Sequence, residues 1–425
     1  MRSLSCVAIA LAMTCSCAAA YGSGTILFAR PINGTYNSQL VQTGSALFTI
    51  NDNGTDLNQL TPLAANDWYV PSGVAAYGPG QWLTRNFSPD GQSIQYFYGQ
   101  TTDPSAGGPT SGKYYTMNLS TGATQALFDG SNDNAAPGYG YLAWGPESSN
   151  LIAYASPIDG TTPACVYLMQ PDGSNKHSLW CTPTQVTVSG GAVPTAGIDA
   201  IRWAGNGQRL LAFVRYMPNG GYYEHAAVYR IDVQTGEGTL IDTNAVDAAS
   251  GDISYDGTKI LYQKYGGSCA DWNPKAVSVN LCVRDMRAGH IHSVLPQGIW
   301  KTWGQYGVWW AGHWDFPLLL SPDGSQVAFM LQSTGALEVD VYVINSDGTN
   351  LRQLTAQGPI ENTTAVEWVP VAWSPDGKQV LANRTVSPPY GATDQTWPSE
   401  VHILTADGLR DWKVTTGYAL DWHKP

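Results

Sequence analysis

The chain has 425 residues, enough for one large domain or two ordinary ones, and a formal net charge of −12. Only 13% of its residues are charged while glycine and aromatics are plentiful, the composition of a turn-rich all-β protein. The negative charge argues against nucleic acid and anionic lipid as partners, and disfavours polyanionic sugars unless a local basic patch or a metal offsets it.

The chain opens with MRSLSCVAIALAMTCSCAAA, in which Arg2 precedes an apolar stretch and three alanines close the segment. This is the pattern of a secretory signal peptide over 1–20 with cleavage after Ala20, too short to remain across a membrane. Cys15 and Cys17 lack the leucine three residues upstream that marks a lipoprotein. No later run reads as a transmembrane helix, so the expected location is secreted or periplasmic. The remainder, 21–425, is expected to be a single domain.

Two phrases then alternate to the end of the chain. The first is NFSPDGQSIQYF (86–97), LAWGPESSNLIAY (142–154), IRWAGNGQRLLAF (201–213), DISYDGTKILY (252–262), LLSPDGSQVAF (319–329) and VAWSPDGKQVLAN (371–383). Each reads as strand, tight turn, strand: Pro presets the turn, Asp caps it, and Gly takes the left-handed position. Asp90, Asp256, Asp323 and Asp376 are therefore turn-formers. The second phrase is a hairpin around a T-G or N/D-G turn, as in YYTMNLSTGATQAL (114–127), VYLMQPDGSNKHSLW (166–180) and VYVINSDGTNLRQLT (341–355). One copy of each makes a four-stranded antiparallel unit of about fifty to sixty residues, the size of a propeller blade.

The first phrase lacks one copy, and the termini supply it. YALDWHKP (418–425) aligns its Asp-Trp with the start of the phrase, and TILFAR (25–30) provides the second strand. The expected fold is an all-β, seven-bladed β-propeller of four-stranded antiparallel blades, closed by pairing of the N- and C-terminal strands.

AWSPDG (372–377) and VYVINSDGTNLRQLT (341–355) resemble the repeats of the TolB-like propeller family, and the resemblance runs through essentially all of 21–425. WAGNG and ISYDG depart from the pattern. TolB itself differs, with an additional α/β domain and six blades. The resemblance implies a fold and hardly any function.

The four cysteines after the leader suit an oxidising compartment. Cys165 and Cys181 stand equidistant from Gly173 in the PDGSN turn, where a cross-strand disulfide is possible, and Cys269 and Cys282 flank another hairpin-like connection. Two local disulfides fit better than a zinc site, since no CxxC spacing appears.

The A–B and C–D turns of such blades share one end, and the long connections leave the other, including 66–82, 99–113, 215–225 and 384–397. Binding groups usually sit on such loops. The segment WKTWGQYGVWWAGHWD (300–315), with five of the sixteen tryptophans, falls there. Its rings could seal the large loops, offer stacking platforms to sugars, or form a protein hot spot; Trp303, Tyr306, Trp309, Trp310, Trp314 and Asp315 are the candidate binding residues. The primary expectation is a monomeric binding protein for a carbohydrate or protein ligand, with no cofactor.

The alternative is a polysaccharide lyase acting on uronate chains. Such an enzyme needs a cation to neutralise the sugar carboxylate and a His or Tyr to take the adjacent proton. His225, His313, Tyr222 and Tyr223 are the acid/base candidates. Arg85 and Arg202, expected at the tops of inner strands, are the neutralisers, unless they instead form inter-blade ion pairs with Asp252 or Asp421. Asp315, Glu224 and Glu367 are looser candidates for paired-carboxylate hydrolysis. DGSNDN (129–134) resembles the start of a calcium loop but lacks its Gly and closing Glu.

Overall fold

In a computed structural model of the chain, the described residues are 24–36, 39–70, 85–101, 112–128, 142–155, 163–188, 191–216, 225–246, 251–265, 269, 279–296, 317–332, 338–355, 366–386 and 398–423. They form strands and turns only, so no helix among them is long and apolar enough to cross a membrane.

The strands follow one another as antiparallel meanders. β1 (Thr25–Tyr36), β2 (Gln39–Asn51) and β3 (Asn58–Gln59) lead to β4 (Asp67–Val70), β5 (Ser93–Gln100), β6 (Gly112–Asn118) and β7 (Thr124–Ala126). β8 (Leu142–Trp144), β9 (Ile152–Ala155), β10 (Cys165–Met169) and β11 (His177–Cys181) form the next. β12 (Gln185–Val188) precedes β13 (Gly191–Trp203), β14 (Arg209–Tyr216), β15 (His225–Asp232) and β16 (Gly238–Val246). β17 (Gly251–Ile253), β18 (Lys259–Tyr265), β19 (Val279–Asp285) and β20 (Ile291–Ser293) follow. β21 (Leu319–Leu320), β22 (Gln326–Gln332), β23 (Glu338–Asn345) and β24 (Arg352–Gln353) come next. β25 (Val366–Trp373), β26 (Gln379–Val386), β27 (Ser399–Thr405) and β28 (Asp411–Thr416) complete the run. Finally β29 (Tyr418–His423) pairs antiparallel with β1, Ile26 opposite Trp422.

The recurring turn has the chemistry that its residues imply. Asp90 Oδ1 accepts the Ser88 hydroxyl at 2.6 Å and the Gln92 N–H at 3.0 Å, while Gly91 takes a φ of 68° that a side chain would strain. Asp323 and Asp376 hold their turns in the same way. Two of the tryptophans before a turn tie successive meanders together: Trp203 Nε1 donates to the Ala143 carbonyl at 2.9 Å and Trp373 Nε1 to that of Leu319 at 3.2 Å. An indole N–H buried between sheets needs such an acceptor.

Side chains on alternate faces of each strand pack against the neighbouring meander. Ile198, Ile201 and Leu210 of β13 and β14 meet Ala153 and Val166 of β9 and β10. On their other faces Leu211 and Phe213 meet Ile260 and Tyr262 of β18. At the chain ends Val371 and Leu381 pack with Ile26, Phe28 and Trp422. Antiparallel meanders stacked face to face in succession are β-propeller architecture.

Cys165 lies directly opposite Cys181 in the β10–β11 register and is disulfide-bonded to it; Cys269 is bonded to Cys282. Both bonds fit an oxidising compartment outside the cytosol.

Candidate functional site

Strand direction divides the molecule into two ends. The first strand of each meander runs toward the short turns at Ser88–Gly91, Ala204–Gly207, Ser254–Gly257, Ser321–Gly324 and Ser374–Gly377. The longer connections between β5 and β6, β14 and β15, β18 and β19, and β20 and β21 leave from the opposite, loop end. One predicted loop, 66–82, begins with a strand, β4.

Arg85 and Arg202 sit at the turn end, not at the tops of the inner strands as expected. Arg202 is the penultimate residue of β13, and Arg85 stands just before the Ser88–Gly91 turn. The inner strand runs from loop to turn, so residues adjoining the turn lie at the far end from the long loops. Arg202 is buried, with Nη1 donating to the Ile201 carbonyl at 3.0 Å.

The two carboxylates expected to pair with these arginines do something further. Asp421 Oδ2 accepts the backbone N–H groups of Asn86 and Phe87 at 2.7 and 2.9 Å, and Oδ1 accepts that of Trp422 at 2.8 Å. Asp252 Oδ2 accepts the Leu320 N–H at 2.8 Å and Oδ1 that of Ile253 at 2.8 Å. Each carboxylate thus supplies an acceptor to the backbone of the next inner strand. Burial pushes Asp252 up to about 6, against the pull of the Leu320 and Ile253 N–H groups and the charges of Arg202 and Arg85. Burial raises Asp421 too, opposed by the Phe87 N–H and then Arg85. The arginines therefore act electrostatically on a structural latch.

His225 opens β15 at the loop end, buried, with its ring stacked on Tyr216 at 5.7 Å between centroids. Burial lowers its pKa. Arg202 pairs with Leu211 and His225 with Tyr216, five residues further along β14. At about 3.3 Å per residue this separates them by roughly 17 Å along the strand alone, beyond any shared proton-transfer geometry. The lyase constellation of His225 with Arg202 is not assembled.

Below His225 lies a buried polar network. The Tyr216 hydroxyl donates to the Thr243 carbonyl, Tyr262 donates to Asp242 Oδ2 at 2.9 Å, and Lys264 Nζ meets the same oxygen at 3.1 Å. Lys264 also donates to the carbonyl of disulfide-bonded Cys269 at 3.1 Å. With each charge partnered, the network reads as the anchor of the Cys269 segment.

Glu367, near the loop end of β25, is pushed up to about 7 by burial. Glu224 and Asp315 lie outside the described residues, as do Tyr222, Tyr223, His313, Trp303, Tyr306, Trp309, Trp310, Trp314 and the 129–134 segment. Among the described residues no group of three or more His, Cys, Asp or Glu could hold a metal ion.

The described loop end also carries an aromatic cluster that the repeat phrases did not reveal, because β4 falls between them. Tyr69 and Tyr98 lie opposite each other on β4 and β5 with rings stacked at 4.8 Å and 30°. Asp67 Oδ1 accepts the Tyr98 hydroxyl at 3.2 Å and Gln100 Nε2 at 2.7 Å. The turn end carries an open cleft of about 970 Å³, lined in part by Asp52, Arg352, Asp376, Lys378, Asp407 and Trp412. Three of its polar groups are engaged in the fold: Asp376 and Asp407 cap their turns, and Arg352 Nε donates to the Ala406 carbonyl.

No family model matches the chain, and no curated protein matches it. Solved structures do resemble it. An oligogalacturonate lyase from Vibrio parahaemolyticus aligns at 11% identity over 93% of this chain and 86% of its own, with a TM-score of 0.52. An oligogalacturonate lyase in complex with manganese aligns at 13% identity over the same shares, 93% and 86%, with a TM-score of 0.51. TolB from Acinetobacter baumannii aligns at 13% identity and a TM-score of 0.42, over 77% of this chain, which spans 62% of the TolB chain. At such identities the likeness shows the fold alone.

Proposed function

We propose that this chain is an exported β-propeller of seven four-stranded blades whose loop end binds a carbohydrate or protein ligand without altering it covalently. The observation that carries the reading is the division of labour between the ends. At the turn end the carboxylates and hydroxyls satisfy the backbone, whereas the long connections all leave from the other end of the same rigid scaffold. The β1–β29 pairing and the packing of Val371 and Leu381 on Ile26 and Phe28 support a ring closed by the termini. The leader-like sequence over 1–20 and the two disulfides support export. The tryptophans at 300–314 and Tyr306 are the first binding residues to test.

The runner-up is a polysaccharide lyase, favoured by the likeness in fold to oligogalacturonate lyases. The spacing of Arg202 and His225 speaks against that pair acting together, so any lyase site would draw its acid/base from His225, His313, Tyr222 or Tyr223 with another cation as neutraliser. A glycan array and a pull-down on the mature protein, repeated with Trp309→Ala and Trp314→Ala, test the binding reading. A ligand whose capture weakens in these variants is the expected result. Incubation with pectin and related polymers, followed by ultraviolet absorbance of unsaturated uronates with and without divalent metals, tests the lyase; a sustained rise would replace the binding reading.

A further inference from the structure

One face of the β4–β6 sheet carries a row of tyrosines that ends in polar side chains at the loop end, while Trp68, Phe97 and Tyr114 lie on the other face. Asp67 lies opposite Gln100, Tyr69 opposite Tyr98, and Tyr98 opposite Lys113. Directly paired residues, and those two further along, project from the same side of a sheet. All five therefore share a face, and deeper on it Tyr96 and Tyr115 stack at 5.6 Å. The row grades from buried Tyr96, through partly exposed Tyr69 and Tyr98, which rest on the cluster of Leu27 and Leu47, to the exposed Gln100 and Lys113.

We propose that this face is a subsite for a neutral pyranose unit of a polysaccharide, an inference that rests on the carbohydrate form of the binding reading. A stacked tyrosine pair offers a flat, rigid apolar surface to the C–H face of a sugar ring at little conformational cost. Beside it, Asp67 and Gln100 are locked to each other and to the Tyr98 hydroxyl through Asp67 Oδ1. That leaves the second carboxylate oxygen of Asp67 and the amide oxygen of Gln100 as fixed acceptors for adjacent sugar hydroxyls, while Lys113 is a donor across the ring. The charges of Asp67 and Lys113 cancel, and the chain as a whole carries −12, so a neutral sugar fits better than a uronate.

The test is affinity electrophoresis of the mature protein in gels containing soluble β-glucan, galactomannan, xylan or polygalacturonate. Retardation by at least one of the neutral polymers is expected. Tyr98→Ala and Gln100→Ala should each weaken it by about tenfold, the size of one aromatic or polar contact. Tyr98→Phe, which keeps the ring, should lose less, and Leu409→Ser at the turn end should lose nothing; unchanged melting temperatures exclude misfolding. Retardation by a neutral polymer that Tyr98→Ala and Gln100→Ala leave untouched overturns the subsite and spares the binding reading. Retardation by polygalacturonate alone overturns the neutral sugar. Absence of retardation by any glycan overturns the carbohydrate reading and this subsite together.

Discussion

Asp421 Oδ2 accepts the backbone N–H of Phe87 at 2.9 Å, although 334 residues separate them in sequence. With Asn86 and Trp422 the same carboxylate holds three N–H groups, so the C-terminal strand fastens the backbone of the inner strand beside it. Replacing it by alanine leaves those donors without an acceptor. At about 1–3 kcal/mol for each buried unsatisfied group, Asp421→Ala should destabilise by at least about 3 kcal/mol. Asp421→Asn, which keeps one acceptor oxygen, should cost less. Urea unfolding checks both, and equal costs would show that the contacts do not act as a latch.

The pH dependence follows from which form of each carboxyl the fold prefers. Asp252, pushed up to about 6, Glu367, pushed up to about 7, and Asp421, also raised, hold protons more tightly folded than unfolded. Their contribution is full below the unfolded carboxylate range and is lost as pH rises through these values. Asp90 and Asp407 are lowered, chiefly by the Ser88 and Thr405 hydroxyls, so their contribution is present above the unfolded value and lost as pH falls. Thermal unfolding should therefore peak near about pH 5 and decline toward about pH 7.5. Asp252→Asn with Glu367→Gln should flatten that decline; a melting temperature that climbs across the same interval would contradict the assignment.

The Asp242–Lys264 pair is buried on both sides, with side chains 7% and 8% exposed. Breaking it from one side strands a charge, so Lys264→Met should cost about 3–5 kcal/mol. The double variant Asp242→Leu with Lys264→Met should be milder than the single. A double-mutant cycle read by denaturant unfolding decides, and additive costs would show that the two groups do not interact.

Cys269 and Cys282 enclose a sequence separation of 13, and Cys269 also receives Lys264 through its carbonyl. Cys269→Ser with Cys282→Ser should lower stability by about 3 kcal/mol, the value for a short closed loop. Calorimetry with and without a reductant measures it; a wild-type melting temperature insensitive to reductant would mean that neither disulfide bears on stability.

What was legible in the sequence was set by local chemistry. The turns at Asp90, Asp323 and Asp376 follow from Ser, Pro, Asp and Gly within four residues, and the Cys165–Cys181 pairing from symmetry about Gly173. The Asp-Trp of 418–425 also pointed to pairing of that segment with 25–30, in which Ile26 lies opposite Trp422. The end of the molecule at which Arg85 and Arg202 lie does not follow from residue type, which says nothing about strand direction; their distance from the turn does. An ion pair between these arginines and Asp252 or Asp421 was the natural expectation from charge. The latch to backbone was not, since N–H groups left open by an inner strand are invisible in side-chain identity. Tyr69 carries no repeat signal because β4 lies between the two recurring phrases, where only the β5 register brings it against Tyr98.

The measurement that bears most directly on a binding propeller with a functional loop end is ligand capture by matched variants of its two ends. Trp309→Ala and Trp314→Ala, between β20 and β21 in sequence, are compared with Asp407→Ala and Leu409→Ser at the turn end, on a glycan array and in pull-downs with the purified protein. The account predicts a captured ligand that the tryptophan variants lose by about tenfold or more and the turn-end variants retain. Loss confined to the turn-end variants, or covalent cleavage of the captured glycan by the wild type, would contradict it.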